Sequence, residues 1–159
     1  MNRDHAQRAA SASSAGFVIA AAVVGTANVL APFERGWWLT AYLFLVGGLA
    51  QLLLIRGQDA LTTGPREPAA SHVWAQWALW NVGTAIVAVA DMAQSMPGVD
   101  VGSIALLIAL MLYLAGAQRA VRGSGRQAAA LDYGYVTLVV VLGSSVLLGT
   151  LLAGTLPGQ

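Results

Sequence analysis

The chain has 159 residues, 57% of them hydrophobic and only 9% charged, with eight arginines, no lysine and seven acidic residues. A soluble domain carries about a quarter charged residues because water must wet its surface, so a soluble globule is excluded. The net charge of +1, with no dense basic run, removes nucleic acid as a partner, and the absence of cysteine removes disulfides, thiolate metal sites and redox dithiols. What remains is an all-α, polytopic integral membrane protein. The lean toward Ala, Gly, Val and Leu, with Arg in place of Lys, suits a high-GC bacterial genome and so the bacterial plasma (inner) membrane.

Residues 1–14 read as a cytoplasmic tail, 15–156 as one membrane domain and 157–159 as an external tail. The first apolar stretch, at about 15–33, follows Arg3 and Arg8 as the core of a signal peptide would. It is longer than such a core and no small-x-small cleavage site follows it, so it is expected to remain as a span. A tight turn at Ala31-Pro32-Phe33-Glu34-Arg35-Gly36 leads into a second stretch at about 36–55, which predicts an antiparallel hairpin. Gly64-Pro65 and Pro68 break the chain before a third stretch at about 73–90. Pro97-Gly98 turns it into a fourth at about 101–118, and Gly123-Ser124-Gly125 precedes a fifth at about 133–156. Each run has about 18 residues or more, and a helix needs roughly 20 to cross about 30 Å of hydrocarbon. None alternates as a barrel strand would. The predicted fold is a five-transmembrane-helix bundle, two helical hairpins plus one closing helix.

Seven arginines (Arg3, Arg8, Arg56, Arg66, Arg119, Arg122 and Arg126) fall on one side of this path and only Arg35 on the other. The bias predicts a cytoplasmic N-terminus and an external C-terminus. The aromatic residues agree, with Phe33, Trp37 and Trp38 at the outer boundary and Trp74, Trp77, Tyr113, Tyr133 and Tyr135 near the inner one. Arg119, Arg122 and Arg126 are too few for an anionic-lipid patch, and topology accounts for them. Val24-Gly25-Thr26-Ala27 recurs as Val82-Gly83-Thr84-Ala85, either a parallel duplication of the hairpin or a chance match between helices rich in Gly, Ala and Val.

No ionisable residue lies near the middle of a span: Asp91 and Asp100 sit at outer ends and Asp132 at an inner one. Pumps and intramembrane hydrolases keep charge at depth, so this pattern speaks against both. His5 in the tail and His72 at the inner lip cannot make a bis-histidine haem site, and Ser103, Ser144 and Ser145 lack a titratable neighbour at helical spacing. No catalytic residue, cofactor or metal site is assigned, and no enzymatic activity is expected.

Neutral polar stripes are left. Trp77, Asn81, Thr84 and Asp91 share one face of the third helix, Thr40, Gly47 and Gln51 one of the second, and Tyr133, Thr137 and Ser144 one of the fifth. All are expected to turn inward, because an unpaired polar group in hydrocarbon is costly. One reading makes Asn28, Gln51, Gln76 and Asn81 interhelical hydrogen-bonding residues, with glycines allowing close approach. The other makes Asn28, Thr40, Gln51, Gln76, Asn81, Thr84, Thr137 and Ser144 the lining of a pathway for a small polar solute. Trp74, Trp77 and Trp80 are spaced along one side of the third helix, as an interfacial belt, a seam against a partner subunit, or a wall for a lipid or quinone. The expected function is an accessory or structural subunit packing among membrane lipids with other membrane proteins or with itself. The alternative is a small passive channel or uncoupled transporter.

Because the chain has no cysteine, Ser124→Cys supplies a single thiol. It is expected to stay unlabelled by a membrane-impermeant reagent in intact cells and to label after permeabilisation. Labelling of intact cells would reverse the orientation.

Overall fold

The computed structural model describes residues 3–61, 69–121 and 133–145. All of its elements are helices: α1 (Arg3–Leu30), α2 (Gly36–Leu61), α3 (Ala70–Met92), α4 (Met96–Val121) and α5 (Tyr133–Ser145). The first four are long and apolar enough to cross a membrane. The expected fifth span is described only as far as Ser145. Its remainder to 156, the tail at 157–159, the 62–68 breakers and the Gly123-Ser124-Gly125 turn lie outside the described residues.

Helix α1 already begins at Arg3, so residues 3–14 of the expected tail are helical. Residues 3–14 are rich in alanine, the strongest helix former, and Ala6, Ala10 and Ser14 recur every fourth residue on a buried face. The same extension carries α2 to Leu61, beyond the apolar stretch, because Gln58 and Leu61 continue the inward stripe of Leu54.

The expected turn at Pro97-Gly98 also shifts. Both residues lie in the first turn of α4, where proline costs nothing because its missing N–H would have no helical partner. The reversal is made by Ala93–Ser95 instead. The Ser95 N–H donates to the Ala90 carbonyl at 2.8 Å and the Gln94 N–H to the Asp91 carbonyl at 3.0 Å, with Gln94 at φ 55°. This is a Schellman closure with glutamine in the left-handed position usually given to glycine.

Two hairpins form as expected, and α3 with α4 is the most extensive pairing. Gly83 and Gly102 set its spacing: a Cβ on Gly83 would stand 3.0 Å from the Gly102 carbonyl oxygen. In the α1–α2 hairpin the turn at 31–35 is held by Asn28, whose side-chain oxygen accepts the Phe33 N–H at 3.0 Å. The centre of α2 is wound as a π-helix over Leu43–Ala50, where it crosses α1 against Phe17 and Val18. At the same end of the bundle, Arg35 pairs with Asp91 and ties the turn to the end of α3.

Leu54, Trp80, Leu106, Tyr113, Tyr135 and Val139 belong to one core shared by α2, α3, α4 and α5. In α5 the inward residues are therefore Tyr135 and Val139. The expected stripe of Tyr133, Thr137 and Ser144 faces outward, with Tyr133 76% exposed. Thr137 needs no neighbour, since it donates to its own Tyr133 carbonyl at 2.7 Å.

Gly36 is the tightest of these positions, because a Cβ there would fall on the Asn28 amide. Gly36→Ala is expected to cost about 2 kcal/mol by displacing that cap. Gly16→Ala, with nothing within 4 Å, should be neutral or stabilising by up to about 1 kcal/mol. Thermal unfolding of the two variants in detergent checks the contrast.

Candidate functional site

Toward the N-terminal end of α1, the apolar contacts between α1, α2, α3 and α4 give way to a buried polar cluster. Its first part is centred on Ser13. The Ser13 hydroxyl accepts Gln51 Nε2 at 3.0 Å and Trp77 Nε1 at 3.1 Å, while donating to the Ala10 carbonyl at 2.9 Å. One hydroxyl thus joins α1, α2 and α3 with all three of its hydrogen-bonding positions in use.

The second part is built on the Leu112 carbonyl of α4. Gln76 Nε2 donates to it at 3.0 Å, and His72 Nε2 lies at 3.0 Å from the same oxygen, which assigns the imidazole proton to Nε2. Gly116, one turn further along, makes that carbonyl reachable. A Cβ there would collide with the Gln58 amide and stand 3.3 Å from Gln76 Nε2. Beside this node Gln7 donates to Asp59, joining α1 to α2. Between the two lies a cavity of about 10 Å³, room for one water-sized occupant, lined by polar Gln7, Gln58, Asp59, Gln76 and Tyr113 and by apolar Ala10, Ile55 and Val73. Gln76 is fully buried, and its Oε1 has no hydrogen-bond partner among the described residues.

The residues singled out from the sequence are scattered. Gln51, Gln76 and Trp77 meet in this cluster. Asn28 and Thr40 lie at the opposite end, where Asn28 caps the turn and Thr40 donates to the Gly36 carbonyl at 2.8 Å. Asn81 donates to the Trp77 carbonyl of its own helix at 2.7 Å. Thr84 is buried in the middle with its hydroxyl unpartnered among the described residues. Thr137 and Ser144 are exposed on α5. Among the described residues no continuous lining joins these positions.

The three tryptophans also divide. Trp74 and Trp77 stack edge to face at 5.2 Å and are half-buried. Trp80 is 1% exposed, donates its indole N–H to the Val46 carbonyl in the π-helix at 3.2 Å and meets Tyr113 edge to face. Within the chain Trp80 is thus enclosed, while Trp74 and Trp77 keep part of their surface open. A widened helical turn offers its carbonyls sideways, and the indole takes one of them.

Ser13, Gln7, Gln58 and Asp59 were not singled out from the sequence. Gln51 and Gln58 are seven residues apart on one face, and that spacing was the available signal for Gln58. Nothing marked Ser13 among the serines of its segment. Among the described residues no three His, Asp or Glu side chains converge as a metal site. No protein-family model, curated protein or solved structure matches the chain.

Ser13→Ala would strand two donors, Nε2 of the fully buried Gln51 and Nε1 of the half-buried Trp77. It is expected to destabilise the protein by about 2 kcal/mol, where Ser145→Ala, an exposed hydroxyl bonded to its own Val141 carbonyl, should be close to neutral. Unfolding midpoints in detergent give the comparison.

Proposed function

We propose that the protein is a non-enzymatic packing subunit of a membrane assembly, a multi-pass protein of the bacterial plasma membrane with a cytoplasmic N-terminus and an external C-terminus. The observation that carries this reading is the outer face of α1. Only 17% of its apolar stretch is buried within the chain, against 44% for α3. The exposed face carries Ala12, Ala15, Gly16 and Ala22, with Ile19 and Val23 between them. Small side chains gain little from lipid but let a neighbouring helix approach closely, which is how helices associate where no hydrophobic force separates them from lipid. The polar groups of α1, by contrast, are used within the chain. Ser13, Ser14 and Asn28 all turn inward or bond their own backbone.

A small passive channel is the second reading. It is favoured by Gln51 Oε1, Gln76 Oε1 and Thr84 Oγ1, buried on α2 and α3 without partners among the described residues. Trp80 lies between Gln76 and Thr84 on the same face of α3 and closes that seam.

The full chain purified in mild detergent is expected to carry a stoichiometric membrane-protein partner or to form a defined oligomer, and to pass no small polar solute in liposomes. Oligomerisation should weaken when Gly16 and Ala12 are enlarged to leucine. Solute flux that Thr84→Val abolishes would replace the packing reading with the channel.

A further inference from the structure

We propose that the cavity between α1, α2, α3 and α4 binds one internal water, which accepts an N–H from the Gln58 amide, donates to Gln76 Oε1 and so joins α2 to α3 at this end of the bundle. The site goes beyond the packing role and does not depend on it. Gln7 and Ala10 reach the cavity from α1, Gln58 from α2, Gln76 from α3 and Tyr113 from α4. The two amides are drawn together over Gly116, where a Cβ would collide with Gln58 Nε2 and stand 3.3 Å from Gln76 Nε2. The volume, about 10 Å³, is what a single water needs.

The lining calls for an occupant that both gives and takes hydrogen bonds. Gln76 Nε2 is committed to the Leu112 carbonyl at 3.0 Å, which fixes the orientation of the amide. Its Oε1 is thereby left as a fully buried acceptor with no partner among the described residues. An unmet buried carbonyl is costly, so an occupant with a hydrogen to give is favoured there. The Gln58 amide, 5% exposed, faces it across the same space. Its nitrogen carries two N–H groups, so one can point at the occupant whatever else the side chain bonds. A metal cation has no lone pair to take that N–H, whereas a water donates to Gln76 and accepts from Gln58. Carboxylate and hydroxyl oxygens accept more than one bond each, so the second hydrogen of the water can share an oxygen of Asp59 or Tyr113 that is already engaged. Ala10, Ile55 and Val73 close the rest of the wall with apolar surface, which strengthens the bonds inside. A chain of Leu112 carbonyl, Gln76, water and Gln58 then runs from α4 through α3 to α2.

The test is a crystal structure of the full chain at a resolution that shows ordered waters. One density peak is expected in the cavity, roughly 2.7–3.2 Å from both Gln76 Oε1 and Gln58 Nε2. An empty cavity overturns the proposal, as does a direct hydrogen bond from Gln58 Nε2 to Gln76 Oε1 that closes it. An occupant held at metal–oxygen distances of roughly 2.4 Å overturns it equally. Oxygen-17 relaxation dispersion of the chain in detergent counts long-lived internal waters without a crystal and without interference from exchanging protons. The wild type is expected to show one more such water than Ala10→Cys, whose added sulfur takes up space on the cavity wall. Val73→Ile fills the cavity from α3 instead of α1 and should lose the same water. A wild type with no long-lived water, or one whose count matches both variants, overturns the proposal.

Discussion

A polar side chain inside this bundle has little water to turn to, so its hydrogen bonds must come from a neighbouring helix or from its own backbone. Both solutions are used. Thr26, Thr40, Asn81 and Thr137 each bond the carbonyl one turn earlier, which satisfies the hydroxyl or amide without asking anything of another helix. Ser13, Gln76 and Trp80 instead reach across, and each fixes where one helix meets the next. The cross-helix bonds determine the register of the bundle. The back-bonded residues could be exchanged for apolar ones with little effect on how the helices sit.

The cross-helix bonds require backbones that can be reached. The Leu112 carbonyl is approachable because Gly116 has no side chain to cover it, and the Val46 carbonyl because the π-helix around it is wider than an α-helix. Trp80 and Gln76, on the same face of α3, each use one of these openings, on α2 and α4 respectively. The position of α3 is thus set by two polar bonds to its neighbours' backbones, and the apolar core of Leu54, Leu106 and Tyr113 fills the space around them. Close approach of α3 to α4 at Gly83 and Gly102 follows from the same logic, since shorter separation strengthens both packing and the reach of the glutamine.

Much of this architecture is legible in the sequence. Four spans, their hairpin order and the inward direction of Gln51, Gln76 and Thr84 follow from apolar run length and helical spacing. The shared Val-Gly-Thr-Ala segment has a structural echo as well: Gly25 meets Thr40 of its hairpin partner and Gly83 meets Gly102 of its own. The threonines that follow diverge, Thr26 exposed and Thr84 buried. What was not legible has identifiable causes. The start of α1 was hidden because hydropathy reports lipid exposure, while an Ala/Ser-rich segment forms a helix by propensity and buries only small residues. The outward face of α5 was misjudged because a threonine that bonds its own backbone no longer needs an inward position. The role of Ser13 depends on three helices meeting at one point, and no spacing within a single helix records that.

The two ends of the bundle are consequently held by different chemistry. At the α1–α2 turn a guanidinium–carboxylate pair, Arg35 with Asp91, joins the turn to α3 where both side chains are still partly exposed, at 30% and 18%. Such a pair is screened and adds little on its own. It positions the turn, while the Asn28 cap and the Gly36 contact supply the rigidity. At the other end neutral amides, a serine and one carboxylate are drawn inside, where each bond is stronger and each unmet acceptor costs more. Gln76 Oε1 is such an acceptor, enclosed among groups from four helices. A bundle fastened this way is held at the turn by a cap and a close backbone approach, and at its other end by amide and indole bonds that cross between helices.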